Sequence, residues 1–188
     1  MDKFDMPVFI SLLRGINVSG QKQIKMDQLK SVYESLGFTR VATYIQSGNV
    51  VFDSKAAAAA KLNAKISAAL AAQFSFEVPV ILRTAAELDQ LVRRNPYTGQ
   101  RNVDVSKLHV VFLPEMPPEA VLKSLTPPAG SVDEYHIDQR EIFLHCPGGY
   151  GKTKLSNNFF ERKLAMHATT RNWKTVNVLN QMAQDLNR

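Results

Sequence analysis

The 188-residue chain has one cysteine, one tryptophan and no apolar run longer than a strand. Each scarcity excludes something. A lone thiol, Cys146, cannot close an internal disulfide, so the chain is not a disulfide scaffold. No stretch approaches the roughly 20 apolar residues of a membrane span, so no membrane partner is expected. The opening MDKFDMPVF carries two acids and no apolar core, so it does not read as a signal peptide, and the cytoplasm is the expected compartment. His109, His136, His145 and His167 do not pair with each other or with Cys146 at metal-ligand spacing, so no metal site is expected. His145 and Cys146 are neighbours in the chain and point apart if extended, which argues against a Cys–His dyad. Cofactor signatures are missing as well. Gly151-Lys152-Thr153 has the end of a phosphate loop, but Cys146 stands where its first glycine belongs.

What is present is ordinary for a folded protein: 45% hydrophobic and 21% charged residues. A chain of this length can bury about two-thirds of its unfolded surface without metals or cross-links. The formal net charge is +6. Part of the surplus is local, because Arg140, Lys152, Lys154, Arg162, Lys163, Arg171 and Lys174 face only Glu141 and Glu161 over residues 140–174. Such a surplus favours phosphates or nucleic acid as partners, or serves solubility alone.

Hydrophobic periodicity gives the elements. Val8–Arg14 is a buried strand, followed by the loop Gly15–Lys25 and a helix with Leu29, Val32, Tyr33 and Leu36 on one face, ended by Gly37. Val41–Gln46 and Asn49–Phe52 form a hairpin around Ser47-Gly48. The alanine-rich stretch Lys55–Gln73 is a helix, including the alanines at 56–60. Val78–Leu82 is a strand, and Thr84 with Glu87 forms a capping box for a short helix ending before Asn95-Pro96. Then come a strand at Leu108–Leu113, a helix from Pro117 to about Leu125, a hairpin around Asp138-Gln139, a glycine-rich loop over Cys146–Thr153, a helix at Leu155–His167, and a last helix striped by Trp173, Val176, Leu179, Ala183 and Leu186.

The order is β-α-β-β-α-β, then β-α-β-β-α with a helix where a fourth strand is due. This predicts an α+β protein of two ferredoxin-like (split βαβ) subdomains, the second irregular with a helix in place of its last strand. The boundaries read as 1–95 for the first subdomain with its capped linker helix, 96–106 for a turn-rich linker, and 107–188 for the second subdomain with the C-terminal helix. No residue-level repeat accompanies the two halves. A right-handed crossover makes the first two strands of a unit parallel. The end of the first strand, Arg14–Asn17, must then lie beside the hairpin tip Gln46–Asn49, at one rim of the sheet.

Three stretches carry a family resemblance: LLRGINV at 12–18, TYIQSGNV at 43–50 and TTRNWKTV at 169–176. In this order and at these separations the chain, from about Pro7 to Leu186, resembles the bacterial family catalogued as domain of unknown function 1697. Ser19 stands where that family's loop usually has glycine. The resemblance implies a two-part α+β fold with ferredoxin-like subdomains and brings no activity, cofactor or catalytic residue.

Function must then be read from loops. The first strand–helix connection is about eleven residues, where two to six is usual, and it leads into a helix start. Arg14, Gly15, Asn17, Ser19 and Lys22, with Gln46, Ser47 and Asn49 from the hairpin and Arg171 and Asn172 from a second helix start, form the expected ligand site. Its expected ligand is a small phosphate-bearing or otherwise anionic molecule. The competing reading is an ordered loop whose polar side chains satisfy their own backbone. Gly151, Lys152, Thr153 and Lys154 form a secondary anion-binding candidate. Trp173 is expected in the core rather than as a stacking platform. An enzyme of unassigned class on an anionic substrate, an assembly module pairing through free sheet edges, and single-stranded nucleic-acid binding are the alternatives. Nucleic acid is the weaker of these because the aromatic strand motifs of an RNA-recognition sheet are missing.

Overall fold

A run of six apolar or small residues with no helical period suits the middle of a sheet, where both faces are covered. Val8–Leu13 (β1) meets that description: all six residues are buried. In the computed structural model, which describes residues 6–55 and 58–187, β1 is followed by α1 (Met26–Ser35), β2 (Thr39–Tyr44), β3 (Asn49–Asp53), α2 (Ala59–Phe74) and β4 (Val80–Thr84). The alanines at 56 and 57 lie outside the described residues. The strands form one antiparallel sheet in the order β2-β3-β1-β4. β1 and β2 are both antiparallel to β3, so they run parallel to each other, as the crossover rule requires.

The helices of this half cover one face. Phe9 and Leu13 of β1, Val50 and Phe52 of β3, and Val80 and Leu82 of β4 pack with Leu29 and Tyr33 of α1 and Leu62, Ile66 and Leu70 of α2. Phe52 stacks on Phe38 with ring centroids 4.5 Å apart and meets Tyr33 edge-on at 5.3 Å. Ser11 also points into this layer, and its hydroxyl shares a 2.6 Å hydrogen bond with Tyr33 Oη, which gives both buried oxygens a partner.

The second half repeats the plan with β5 (Leu108–Phe112), α4 (Glu119–Ser124), β6 (Glu134–Asp138), β7 (Glu141–His145), α5 (Asn157–Leu164) and β8 (Thr169–Asn172), in the sheet order β6-β7-β5-β8. The two-part α+β architecture therefore holds, with one correction. The second unit has its fourth strand. Thr169–Asn172 pairs antiparallel with Phe112–His109, and the final helix, α6 (Trp173–Leu186), follows the strand rather than replacing it. TTRN lacks the apolar alternation that marks a strand, and the strong stripe from Trp173 onward is the only period there to read. Its two β-branched threonines are the residual strand signal.

α3 (Ala85–Arg94) opens on the expected capping box: Thr84 N–H donates to Glu87 Oε2 at 2.8 Å, and Glu87 N–H to Thr84 Oγ1 at 3.2 Å. The chain divides into a unit of Met1–Gln90 with Val178–Arg188 and a unit of Leu91–Asn177. The division falls inside α3 and inside α6, whereas composition points to the turn-rich 96–106 segment. The C-terminal part of α6 belongs with the first unit, where Gln184 Nε2 donates to Asp89 Oδ1 at 3.0 Å. No described helix is long and apolar enough to cross a membrane.

Candidate functional site at the end of the first strand

The chain leaves β1 at the rim that topology predicts. Leu13 N–H donates to Gly48 O at 2.8 Å, and Arg14 N–H to Pro79 O at 2.9 Å, so the first connection, the β2–β3 tip and the segment before β4 meet at one end of the sheet. Residues 17–24 then close into a small hairpin with a bridge between Val18 and Gln21. Asn17 fastens it. Its Oδ1 accepts from Ile24 N–H at 2.8 Å, and its Nδ2 donates to Ile24 O at 2.9 Å and to Gln46 O at 2.8 Å. One carboxamide thus ties the loop to itself and to the neighbouring tip. Asn17, Ser19, Lys22 and Ile45 all have positive φ, between 45° and 54°. For a β-branched residue such as Ile45 that conformation is uncommon, and here the surrounding hydrogen bonds fix it.

The loop encloses a hollow of about 650 Å³ against the start of α1. Asn17, Gly20, Gln23, Lys25, Gln28 and Gln46 line it, with Asp27 and the apolar Ile24 and Met26. The helix start is bare: Lys25 is the N-cap residue, and no side chain caps the first turn. The unpaired N–H groups of that turn and the positive end of the helix dipole therefore open onto the hollow. The side chains of Gln23, Lys25, Gln28 and Gln46 make no hydrogen bond with any described residue, so their donors and acceptors remain available.

The residues expected here divide by task. Asn17 and Gln46 line the hollow. Asn49 is fully buried and serves the hairpin, donating to Tyr44 O at 2.8 Å and Ser47 Oγ at 3.0 Å. Lys22 reaches the other way, donating to Glu77 O at 2.7 Å with its ammonium 5.8 Å from the Phe76 ring. Arg14 and Gly15 are half-buried and Ser19 is exposed, and none of these three lines the hollow. Gln28 and Asp27 were not in the expected set. Their signal was the position itself, the first turn after a long loop.

Arg171 and Asn172 belong to the second unit. Arg171 lies within β8, not at a helix start. It is buried, and its Nη1 donates to Thr169 Oγ1 at 2.8 Å and Thr170 O at 2.9 Å. Asn172 caps α6, accepting from Thr175 N–H at 2.8 Å. Trp173, at the start of α6, is buried. In the glycine-rich loop, Gly151 and Lys152 are exposed, but Thr153 donates to Asp133 Oδ2 at 2.6 Å and Lys154 to Ala129 O at 2.9 Å. Nearby, His109 stacks on Tyr150 with centroids 4.6 Å apart, and burial holds its pKa below the usual histidine value. Cys146 is buried, and the loss of solvent pushes its thiol up to about 11, so it is a packing residue rather than a nucleophile.

Comparison with known proteins agrees with the fold. A family model described as a protein of unknown function (DUF1697) matches residues 6–143. That span includes the first two motifs and stops short of the third, at 169–176. The chain is similar in structure to a conserved bacterial protein from Streptococcus pneumoniae, with 25% identity and a TM-score of 0.76 over 95% of this chain and 99% of the other. No curated protein matches the chain.

Proposed function

We propose that this chain, which belongs to the DUF1697 family of proteins of unknown function, binds a small molecule through a single phosphate or carboxylate group at the start of α1. The observation that carries this reading is the uncapped first turn of a ten-residue helix facing a hollow of about 650 Å³. That volume is within the roughly 300–1,000 Å³ of small-molecule sites. Lys25 adds a cation, Asp27 removes it again, and the backbone N–H groups supply the net preference for an anion. With side-chain charge balanced, the hollow suits one anionic group on a polar body better than a chain of phosphates, which needs several cations. The lining offers a carboxylate but no nucleophile paired with a base, so binding is favoured over catalysis.

Amide chemical shifts during titration of the full chain with inorganic phosphate test this. Shifts should concentrate at residues 23–28. Lys25→Ala should weaken binding and Asp27→Asn should tighten it, each by roughly twofold to fivefold, since charges near a helix start contribute about 0.3–1 kcal/mol. Shifts scattered over lysines elsewhere, with none at 23–28, would refute the site.

A further inference from the structure

A sheet that ends in an exposed strand carries a row of main-chain groups with no partner. The outermost strands of the two sheets are β2, β4, β6 and β8. Three of them are blunted. β2 is interrupted by an irregularity between Thr39 and Ala42, with Arg40 at φ +49°. β4 has four of its five residues buried, and β8 is four residues long with Thr169 and Arg171 buried. β6 has none of these protections: it runs five residues in unbroken register with β7, and no residue in it is buried. The two-residue turn Gln139-Arg140 makes Asp138 and Glu141 a hydrogen-bonded pair, and alternation makes His136–Phe143 and Glu134–His145 the next such pairs. The N–H and C=O of Tyr135 and Ile137 therefore point away from β7, and they bond to no described residue. We infer that β6 takes an extended segment of another protein as a fifth, antiparallel strand of this sheet, a segment in which apolar residues alternate with lysine or arginine.

The edge itself selects polypeptide, because only another strand matches donor–acceptor pairs that recur at every second residue. The side chains select its sequence. Tyr135 and Ile137 pack against the core of this unit, so apolar residues opposite them extend that layer. Glu134, His136 and Asp138 lie on the other face of the strand. In a chain of net charge +6, residues 133–141 hold Asp133, Glu134, Asp138 and Glu141 against Arg140. Asp138 is shared with Arg94 at 3.2 Å, whereas Glu134 has 63% of its side chain exposed beside His145, at 3.4 Å. Cations opposite Glu134 and Asp138 complete the pairing. A second copy of β6 does not: antiparallel pairing centred on His136 sets Glu134 against Asp138 of the second copy at both ends, and like charges directly opposite destabilise a ladder.

Amide-shift titration of the full chain with the end-blocked pentapeptide Lys-Val-Thr-Val-Lys, beside Glu-Val-Thr-Val-Glu, tests this. The lysine peptide should shift residues 134–138, most strongly at the Tyr135 and Ile137 N–H groups, and the glutamate peptide should leave them in place. Glu134→Gln, at an exposed position, should weaken the lysine peptide by about twofold to fivefold, the span of one cross-strand charge pair. N-methylation of the two valine amides, which face β6 in the antiparallel register, should abolish binding, and N-methylation of the lysine and threonine amides should not. The methylated peptides change nothing in the protein, so a folding defect cannot imitate their result. Equal binding of the lysine and glutamate peptides, any other methylation pattern, or shifts that avoid 134–138 would overturn the inference. A dimer by light scattering, with concentration-dependent shifts at 134–138 and no response to peptide, would overturn it too and give the edge to a second copy.

Discussion

Gly48 is where the geometry of this rim is most exposed to experiment. Its backbone sits at φ +78°, and a Cβ added there would lie 2.7 Å from Ile16 Cδ1, 2.7 Å from Leu13 Cβ and 3.1 Å from Ile16 Cγ1. Gly48→Ala therefore has two costs. The left-handed conformation disfavours any L side chain by about 1–2 kcal/mol, and overpacking adds about 1–3 kcal/mol. Gly15→Ala separates them, because Gly15 has φ +72° with nothing within 4 Å of the added carbon, and only the first cost applies. Thermal unfolding followed by far-UV circular dichroism should show Gly48→Ala lowered by roughly 5–15 °C, at about 2–4 °C per kcal/mol for a chain of this size. Gly15→Ala should fall by less than half of that. Hydrogen exchange at the Leu13 amide, which donates to Gly48 O, should accelerate in the first variant and not in the second. Adding Ile16→Val removes Cδ1 and should restore part of the loss. It cannot restore all of it, because Leu13 Cβ sits on a strand and cannot withdraw. Equal losses in the two alanine variants would show that the β1 end and the β2–β3 tip do not meet as described.

Two further outcomes follow from the same structure. Asn17→Gly keeps the left-handed backbone and deletes three hydrogen bonds; a loss of about 2 kcal/mol in urea unfolding, with a loosened phosphate response at residues 23–28, is expected, and unchanged binding would show that Asn17 does not hold the hollow in shape. His109 is held neutral by burial, so as pH falls the unfolded chain takes up its proton first; its contribution is complete above the unfolded pKa of about 6.5 and is lost as pH drops toward the lower folded value. The difference between wild type and His109→Gln in urea midpoint should therefore shrink from pH 7.5 to pH 5, and a difference that grows on acidification would reverse the sign of the argument.

Most of the frame was legible because it rests on period and connectivity. The apolar run at 8–13, the helical stripes and the capping box at Thr84 are local signals, and the parallel relation of β1 and β2 needs only the handedness of a crossover. From these alone the loop after Arg14 could be set beside the tip at Ser47-Gly48, and the Leu13–Gly48 hydrogen bond is where they meet. Direction of side chains was not legible. Asn17, Asn49 and Lys22 were all polar candidates, yet Asn17 and Asn49 are spent on backbone groups of the rim and Lys22 on Glu77 O. Composition does not distinguish a polar group that braces a loop from one that waits for a ligand. The hollow between α1 and α2 escaped for a related reason: Gln28, Ser31 and Gln73 come together only through the packing of the two helices.

The two halves share no visible repeat in sequence, yet their sheets coincide pair by pair. Leu12 faces Asn49 and Ile10 faces Arg83 in the first; Phe112 faces Glu141 and Val110 faces Arg171 in the second. The chain leaves the central strand in the same way, with Leu13 N–H on Gly48 O at 2.8 Å and Leu113 N–H on Arg140 O at 2.9 Å. Arg83 and Arg171 are both buried, and each donates Nη1 to the carbonyl of the residue before it, at 2.8 Å and 2.9 Å. So Arg171, which sequence alone nominated as a ligand contact, has a counterpart that composition never singled out, and a role shared by both sheets is a role in the sheet. What the units do not share is the connection that follows. After Leu13 come the residues that build the hollow and a ten-residue helix. After Leu113 comes Pro-Glu-Met-Pro-Pro, with three residues that lack an N–H, and a helix of six. The common plan supplies a rim in each unit, and the first is extended into a concave, donor-rich surface. The proposed anion site therefore belongs to the connection at residues 17–28 and to Gln46 of the tip, not to the ferredoxin-like sheet, which the second unit assembles without them.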